Sequence, residues 1–321
     1  MNEFELIARL TRSLPTDPSV VLGAGDDCAA VDLGVPDRWV LFKTDAVVEG
    51  VHFTSDIDPA RVGHKALARC LSDFAAMAGT PTHAVVTVGL PGDSRAEFVE
   101  AAYEGLTRLA ERYSVAVVGG ETTRNPEHVF LSISAIGTVR KDRCVRRSGA
   151  EPGDALFVTG ALGGSIAGKH LDFEPRLEEA QWLAGSFDVH AMIDLSDGLA
   201  GDLQHITRAS QVGADLLKSA IPISRAARLL ARASANGDTA VAGLPKRPPP
   251  AIVAALTDGE DFELLFTVAS RDAVPLLDAW KKKFPKLPLG CIGKISAEPG
   301  VRLRDEHGIR TLTEHGFVHF A

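Results

Sequence analysis

Cysteine is scarce in this chain: Cys28, Cys70, Cys144 and Cys291 are the only four in 321 residues. They are far apart and form no CxxC pair, so neither a structural zinc site nor a disulfide framework is indicated. Reduced thiols are the simplest reading. Positive charge is also in deficit, with 34 Lys and Arg against 42 Asp and Glu and a formal net charge of −8. Neutralising a nucleic-acid backbone requires a clustered basic excess, so no nucleic-acid partner is expected. An acidic chain can still bind nucleotides when metal ions stand between the two sets of negative charge. No apolar run reaches the roughly 18 residues that span a bilayer, and MNEFELIARLTRSL places acids where a secretory signal needs a continuous apolar stretch. The expectation is a soluble, cytoplasmic protein with no membrane partner.

What is present describes a folded chain. Hydrophobic residues make up 45% and charged residues 24%, and 321 residues exceed the usual single core, so two domains are expected. Phe4, Leu6, Ile7, Leu10 and Leu14 recur at near-helical spacing up to Pro15, and WVLFKTDAVV (39–48) reads as a buried strand. Val62, Ala66, Leu67, Cys70, Leu71, Phe74 and Met77 keep a 3.6-residue period, predicting a helix over 60–78. Strands are predicted at 83–90, 115–120 and 129–139, with an amphipathic helix over 95–113 between the first two. This mixture predicts an α/β or α+β first domain. RRSGAEPGD (146–154) breaks the composition and divides the chain into domains 1–145 and 146–321. Beyond it lie ALFVTG and FELLFTV as strands, AMIDLSDGL as a strand entering a helix, and the proline-rich PKRPPPA (245–251) as a surface connection.

GGSIAGKH (163–170) nearly spells a phosphate-binding P-loop, but His170 stands where a Ser or Thr hydroxyl should meet Mg²⁺. A glycine-rich turn packing a helix on a strand is the better reading. Acids recur instead where apolar elements end or are interrupted. Asp26 and Asp27 follow glycines in GAGDDCA, Asp45 stands at a strand end, and Asp73 lies inside a helix among small and apolar residues. Glu121 follows VVGG, Asp194 and Asp197 stand in IDLSDG, and Glu260 and Asp261 in DGEDFE. Carboxylates are costly to bury unless paired or metal-bound, so this set favours several hard divalent cations held by oxygen. Arg124, Arg146 and Arg147 offer guanidinium groups suited to phosphate. His52 is either a core or a ligand-contacting imidazole, and Tyr103 either helix core or a platform for an adenine ring.

GAGDDCA, KTDAVVEGVHF, DIDPARVGHKALARCLSDFAAMAGTP, VGGETTR, RRSGAEPGD, VTGALGGSIAG, IDLSDGL, DGEDFEL and CIG occur in this order. Together they resemble thiamine-monophosphate kinases, and the resemblance runs from about residue 20 to the C-terminus. It implies a two-domain fold of the aminoimidazole-ribonucleotide-synthetase type, with mixed sheets flanked by helices. It also implies a homodimer formed through the N-terminal domains, and transfer of the ATP γ-phosphoryl group to thiamine monophosphate. By the same resemblance Asp27, Thr44, Asp45, Asp73, Glu121, Asp194 and Asp197 are ligands of several Mg²⁺ ions. Tyr103, Gly120, Glu121, Arg147 and Ser196 contact the nucleotide, and His52, Glu260 and Phe317 hold the thiamine moiety.

The implied chemistry suits these residues. A phosphate monoester has a second pKa of about 6 and is mostly dianionic at neutral pH, so no general base is required. The difficulty is electrostatic, and cations with arginines relieve it. Three positions depart from the family pattern. Glu121 replaces the usual Asp, Asp258 replaces a glycine ahead of Glu260, and Lys43 replaces a small hydroxyl residue. The Lys43 ammonium either displaces one cation or points to solvent. The segment from His170 to Asp194 is also short. Competing readings are another ATP-dependent enzyme of the same superfamily and a non-catalytic nucleotide or metal sensor. A selenophosphate synthetase or hydrogenase-maturation enzyme would want a reactive cysteine near one terminus, where this sequence has none.

Overall fold

The computed structural model describes residues 3–91, 95–235, 249–314 and 316–317. In chain order the strands are β1 (Val20–Leu22), β2 (Ala29–Val31), β3 (Arg38–Val48), β4 (Thr80–Leu90), β5 (Ala116–Arg124), β6 (Phe130–Arg140) and β7 (Ala155–Thr159), then β8 (Val189–Asp194), β9 (Gly213–Leu217), β10 (Leu264–Val268), β11 (Leu289–Ser296), β12 (Gly300–Asp305) and β13 (Gly308–Thr311). The α-helices are α1 (Glu3–Thr11), α2 (Pro59–Ala76), α3 (Ala96–Arg112), α4 (Lys169–Asp172), α5 (Leu177–Ser186), α6 (Leu199–Ser210), α7 (Arg225–Ala235), α8 (Ala251–Thr257) and α9 (Ala273–Lys283). Two compact units result: one of Val21–Cys144 with Gly168–Gln181, the other of Met1–Val20, Val145–Ala167 and Trp182–Ala321.

The first unit is built on a six-stranded mixed sheet of order β1-β2-β3-β6-β4-β5. β3, β6 and β4 pair antiparallel, and β5 adds in parallel to β4. Side chains alternate across the pleat: Leu41 and Val47 of β3 are fully buried, while Phe42 between them is 43% exposed. α2 opens with Asp58 accepting from the Ala60 N–H and with Pro59 at its first turn, a cap and a preset φ that fix its start. Its apolar stripe is buried as the period predicts, and Lys65 and Asp73 are buried with it. α2 and α3 meet through two glycines. A Cβ on Gly63 would lie 1.7 Å from the Ala102 carbonyl oxygen, and one on Gly105 would lie 1.8 Å from that of Ala60. No other residue permits that approach.

The second unit carries a seven-stranded sheet of order β13-β12-β9-β11-β7-β10-β8. β9 and β12 run parallel, and β7, β8, β10 and β11 pair antiparallel with their neighbours. All five residues of β7 and all five of β10 are buried, Thr159 and Thr267 among them. The Phe157 and Phe266 rings stack 5.6 Å apart across that pair. Leu199, Leu203 and Ile206 of α6 join Ile193, Leu256 and Leu265 in one core.

The mixed α/β reading, with two sheets flanked by helices, is borne out. Boundaries shift in places. α1 stops at Thr11, whose hydroxyl bonds back to the Ile7 carbonyl, short of Pro15. The strand expected over 115–120 continues to Arg124, because β4 runs on to Leu90 and offers it a partner throughout. Most of the proline-rich connection lies outside the described residues, and α8 begins behind Pro250. Among the described residues no helix is long and apolar enough to cross a membrane.

Candidate active site

In the six-stranded unit, the turn GAGDDCA explains its paired acids. Gly25 takes φ +131°, and Asp26 accepts the Asp27 N–H at 3.1 Å. Asp26 thus caps the turn while Asp27 is carried inward to 2% exposure. From α2, Asp73 brings a carboxylate oxygen within 4.8 Å of that of Asp27. The β3 pleat adds Lys43 and Asp45 on the same side as Leu41 and Val47. Lys43 Nζ lies 2.7 Å from Asp73 Oδ1 and 3.9 Å from Asp45 Oδ2. Of the two fates open to Lys43 in the sequence, the structure selects the one among the acids. Burial pulls its pKa down, but Asp73, Asp45 and Asp27 outweigh this and hold it well above the ordinary lysine value. Burial above all, helped by Asp73, raises the Cys28 thiol well above its ordinary range, which disfavours the reactive thiolate.

Asp27 and Asp73 suit a hard divalent cation. Both are buried oxygen donors, and their separation approaches the span of two ligands on one ion at 2.0–2.1 Å each. Thr44 is placed differently. Its position in the pleat is opposite to that of Asp45, and its hydroxyl lies 3.0 Å from Ser134 Oγ. Glu121 also stands apart. Asp45 pairs with Ile133, Ile133 with Val86 and Val86 with Gly120, so Asp45 and the Gly120–Glu121 pair are three strand spacings apart, about 14 Å. That is the length of a nucleotide rather than of a shared coordination shell. At Gly120 a Cβ would meet the Val86 carbonyl oxygen at 1.9 Å, and Tyr103 is half-buried on α3.

His52 sits in the loop after β3. Its Nδ1 accepts the Val48 N–H at 3.1 Å, which leaves the proton of a neutral ring on Nε2. The fully buried Lys65 donates to the His52 carbonyl and contacts His170 Nδ1, each at 2.8 Å. Neither Lys65 nor this use of His170 was anticipated from the sequence. The available signal was a lysine falling within the apolar stripe of α2.

In the seven-stranded unit, β8 ends at Asp194 and the chain turns through Leu195, Ser196 and Asp197 to Gly198 (φ +101°) before α6. The DGEDFE loop is clipped to this turn. Glu260 N donates to Ser196 O at 2.6 Å, Phe262 N to Leu195 O at 2.8 Å, and Leu195 N to Glu263 O at 2.8 Å. To make these bonds Glu260 and Phe262 adopt φ +62° and +49°, costly for residues with a Cβ and typical of sites that fix a side chain. Phe317 N donates to Asp197 O at 2.9 Å, and the ring is 51% exposed. Ser196, Asp197, Glu260 and Phe317 are therefore brought together. Asp202, which the sequence reading passed over, accepts the Asp197 N–H at 3.0 Å. Burial, then Asp197 and Asp194, push its pKa well above the carboxylate range, and the Asp197 N–H followed by Arg147 pulls it back only in part.

The P-loop-like segment is occupied by the protein's own carboxylates. Gly163 N donates to Asp261 and Gly164 N to Asp258, each at 2.7 Å. Asp258, a departure from the family pattern, thus serves as an internal anion for backbone N–H groups. Burial raises its pKa, and the Gly164 N–H opposes the rise.

Residues 25–139 match the N-terminal domain of AIR synthase related proteins. The thiamine-monophosphate kinase of Rhodopirellula baltica is 38% identical over 96% of this chain and 93% of its own length. That of Escherichia coli strain K12 is 37% identical over 99% and 98%. The chain belongs to the thiamine-monophosphate kinase family. A solved structure, AaThiL complexed with AMPPCP and TMP, superposes on this member of the kinase family with a TM-score of 0.79 at 29% identity, covering 99% of this chain and 97% of that one. The fold of this kinase family member is accordingly the AIR-synthase-like one.

Proposed function

We propose that this chain transfers the γ-phosphoryl group of ATP to thiamine monophosphate, yielding thiamine diphosphate and ADP. The observation that carries the reading is the near-full-length identity to thiamine-monophosphate kinases. The buried Asp27–Asp73 pair supports it, because two carboxylate oxygens this close can hold the divalent cation such a reaction needs.

Asp27, Asp45 and Asp73 would hold Mg²⁺ in one unit, and Asp194 and Asp197 are the corresponding acids of the other. When bound, the metal neutralises phosphate oxygens and orients them for in-line displacement. The remaining work falls to the chain. Gly120, Glu121, Tyr103, Arg147 and Ser196 would contact the nucleotide. His52, its tautomer set by Val48, presents an Nε2 donor to the thiamine phosphate or ring. Glu260 and Phe317, clipped to the Ser196–Asp197 turn, would orient the thiamine moiety, the half-exposed aromatic ring by stacking on a planar heterocycle. The acceptor oxygen is already ionised, so no residue is assigned as a base. Purified protein with Mg²⁺, ATP and thiamine monophosphate should form thiamine diphosphate on chromatography and stop on addition of EDTA. No product in either condition refutes the reading.

We also propose a homodimer. The face of the six-stranded sheet opposite α2 exposes Phe42, Val85, Val118 and Ile136, and a contiguous apolar patch of this kind marks an association surface. A second copy of the same sheet would be self-complementary to it. Val118→Asp should convert a dimer to a monomer in light scattering, and a monomeric wild type contradicts the proposal.

A further inference from the structure

We propose that Lys43 is a tethered cation standing in for one divalent ion within the Asp27, Asp45 and Asp73 group. The inference rests on the kinase reading only in taking these acids as metal ligands.

The argument begins with β3. Alternation forces residue 43 to the same side as Asp45, and α2 presents Asp73 to that side, so a long side chain at 43 must either leave the group or enter it. It enters. Nζ contacts Asp73 Oδ1 at 2.7 Å and approaches Asp45 Oδ2 at 3.9 Å. A magnesium ion bound to the same Asp73 oxygen would lie 2.0–2.1 Å from it and demand its own shell of six oxygens. An ammonium at hydrogen-bond distance on that oxygen occupies the volume such a shell would need. It also supplies part of the same service, since one positive charge among three carboxylates reduces their mutual repulsion. The ammonium carries no open coordination positions, however, so it cannot bridge to a phosphate as a metal does. Lys43 therefore lowers the number of ions the group recruits while keeping the acids close in the absence of metal.

The test uses Mn²⁺ alone, without ATP or thiamine monophosphate. Bound ions are counted by the loss of the free Mn²⁺ electron paramagnetic resonance signal, in the full chain and in Lys43→Ser. The serine variant is expected to bind one more Mn²⁺ per chain than the wild type. Equal counts, including no binding by either, overturn the proposal, because a lysine that merely swings aside when metal arrives changes no stoichiometry. A melting series covers poor folding of the variant. Lys43→Ser should melt below the wild type in EDTA and gain more from Mg²⁺, whereas equal gains contradict the proposal. The ion count is read without turnover, so a chain that shows the extra ion yet forms no thiamine diphosphate would sink the kinase reading and leave this one standing.

Discussion

Gly63→Ala separates two physical effects of opposite sign. On propensity alone, alanine in a helix interior is better than glycine by about 1 kcal/mol, so the variant would gain stability. The packing of α2 on α3 says the reverse. The new Cβ would lie 1.7 Å from the Ala102 carbonyl oxygen, where ordinary contact begins at 3.4 Å. The obstacle is backbone, so no rotamer change relieves it, and the helices must part by more than an ångström. Overpacking of this kind costs about 1–3 kcal/mol, and a backbone obstacle places Gly63 at the upper end. Set against the propensity gain, a net loss of about 2 kcal/mol follows. Urea unfolding followed by circular dichroism reads this directly. With a slope near 3 kcal/mol/M the midpoint should fall by about 0.7 M. An unchanged or higher midpoint would refute the reasoning and the close α2–α3 approach with it.

Other outcomes follow from the same structure. Asp45→Asn and Asp73→Asn should fold normally by circular dichroism yet lose about 10²-fold or more in thiamine diphosphate formation, the scale for removing a principal electrostatic group; wild-type rates in both would contradict their role. Thr159→Val should destabilise the seven-stranded unit by about 2 kcal/mol in urea, because the buried hydroxyl donates to Glu263 Oε2 at 2.8 Å and accepts the Leu264 N–H at 2.9 Å. Glu314 is held at a pKa of about 2, chiefly by its hydrogen bonds from Arg310. A depressed carboxylate stabilises the fold above its unfolded pKa of roughly 4.3 and loses that contribution as pH falls toward 2. Melting curves of wild type and Glu314→Gln should therefore differ at pH 7 and converge near pH 2; a constant offset would show that the pair contributes nothing through ionisation.

The fold was legible wherever one periodicity dominated. The stripe of α2 and the largely apolar runs of β7 and β10 made a helix and two strands readable in the sequence. The candidate site was legible as a set of acids and not as an arrangement. Asp45 and Asp73 lie 28 positions apart in sequence, and only the sheet and the helix above it bring both to Lys43. Thr44 and Asp45 read as one motif because they are adjacent, yet adjacency in a strand places their side chains on opposite faces. Glu121 belonged to the same family pattern, but strand order, which no local pattern encodes, places it about 14 Å from Asp45. Asp202 was hidden by its setting in GLAGDLQHI, where an acid looks like the polar side of a helix until its N–H partner at Asp197 is seen.

The most direct test of direct phosphoryl transfer is a single incubation with ATP labelled in its γ-phosphate, Mg²⁺ and thiamine monophosphate. The label should appear in the terminal phosphate of thiamine diphosphate, with none retained on the protein after denaturation. Label released as inorganic phosphate without thiamine diphosphate, or held covalently on the chain, would contradict it.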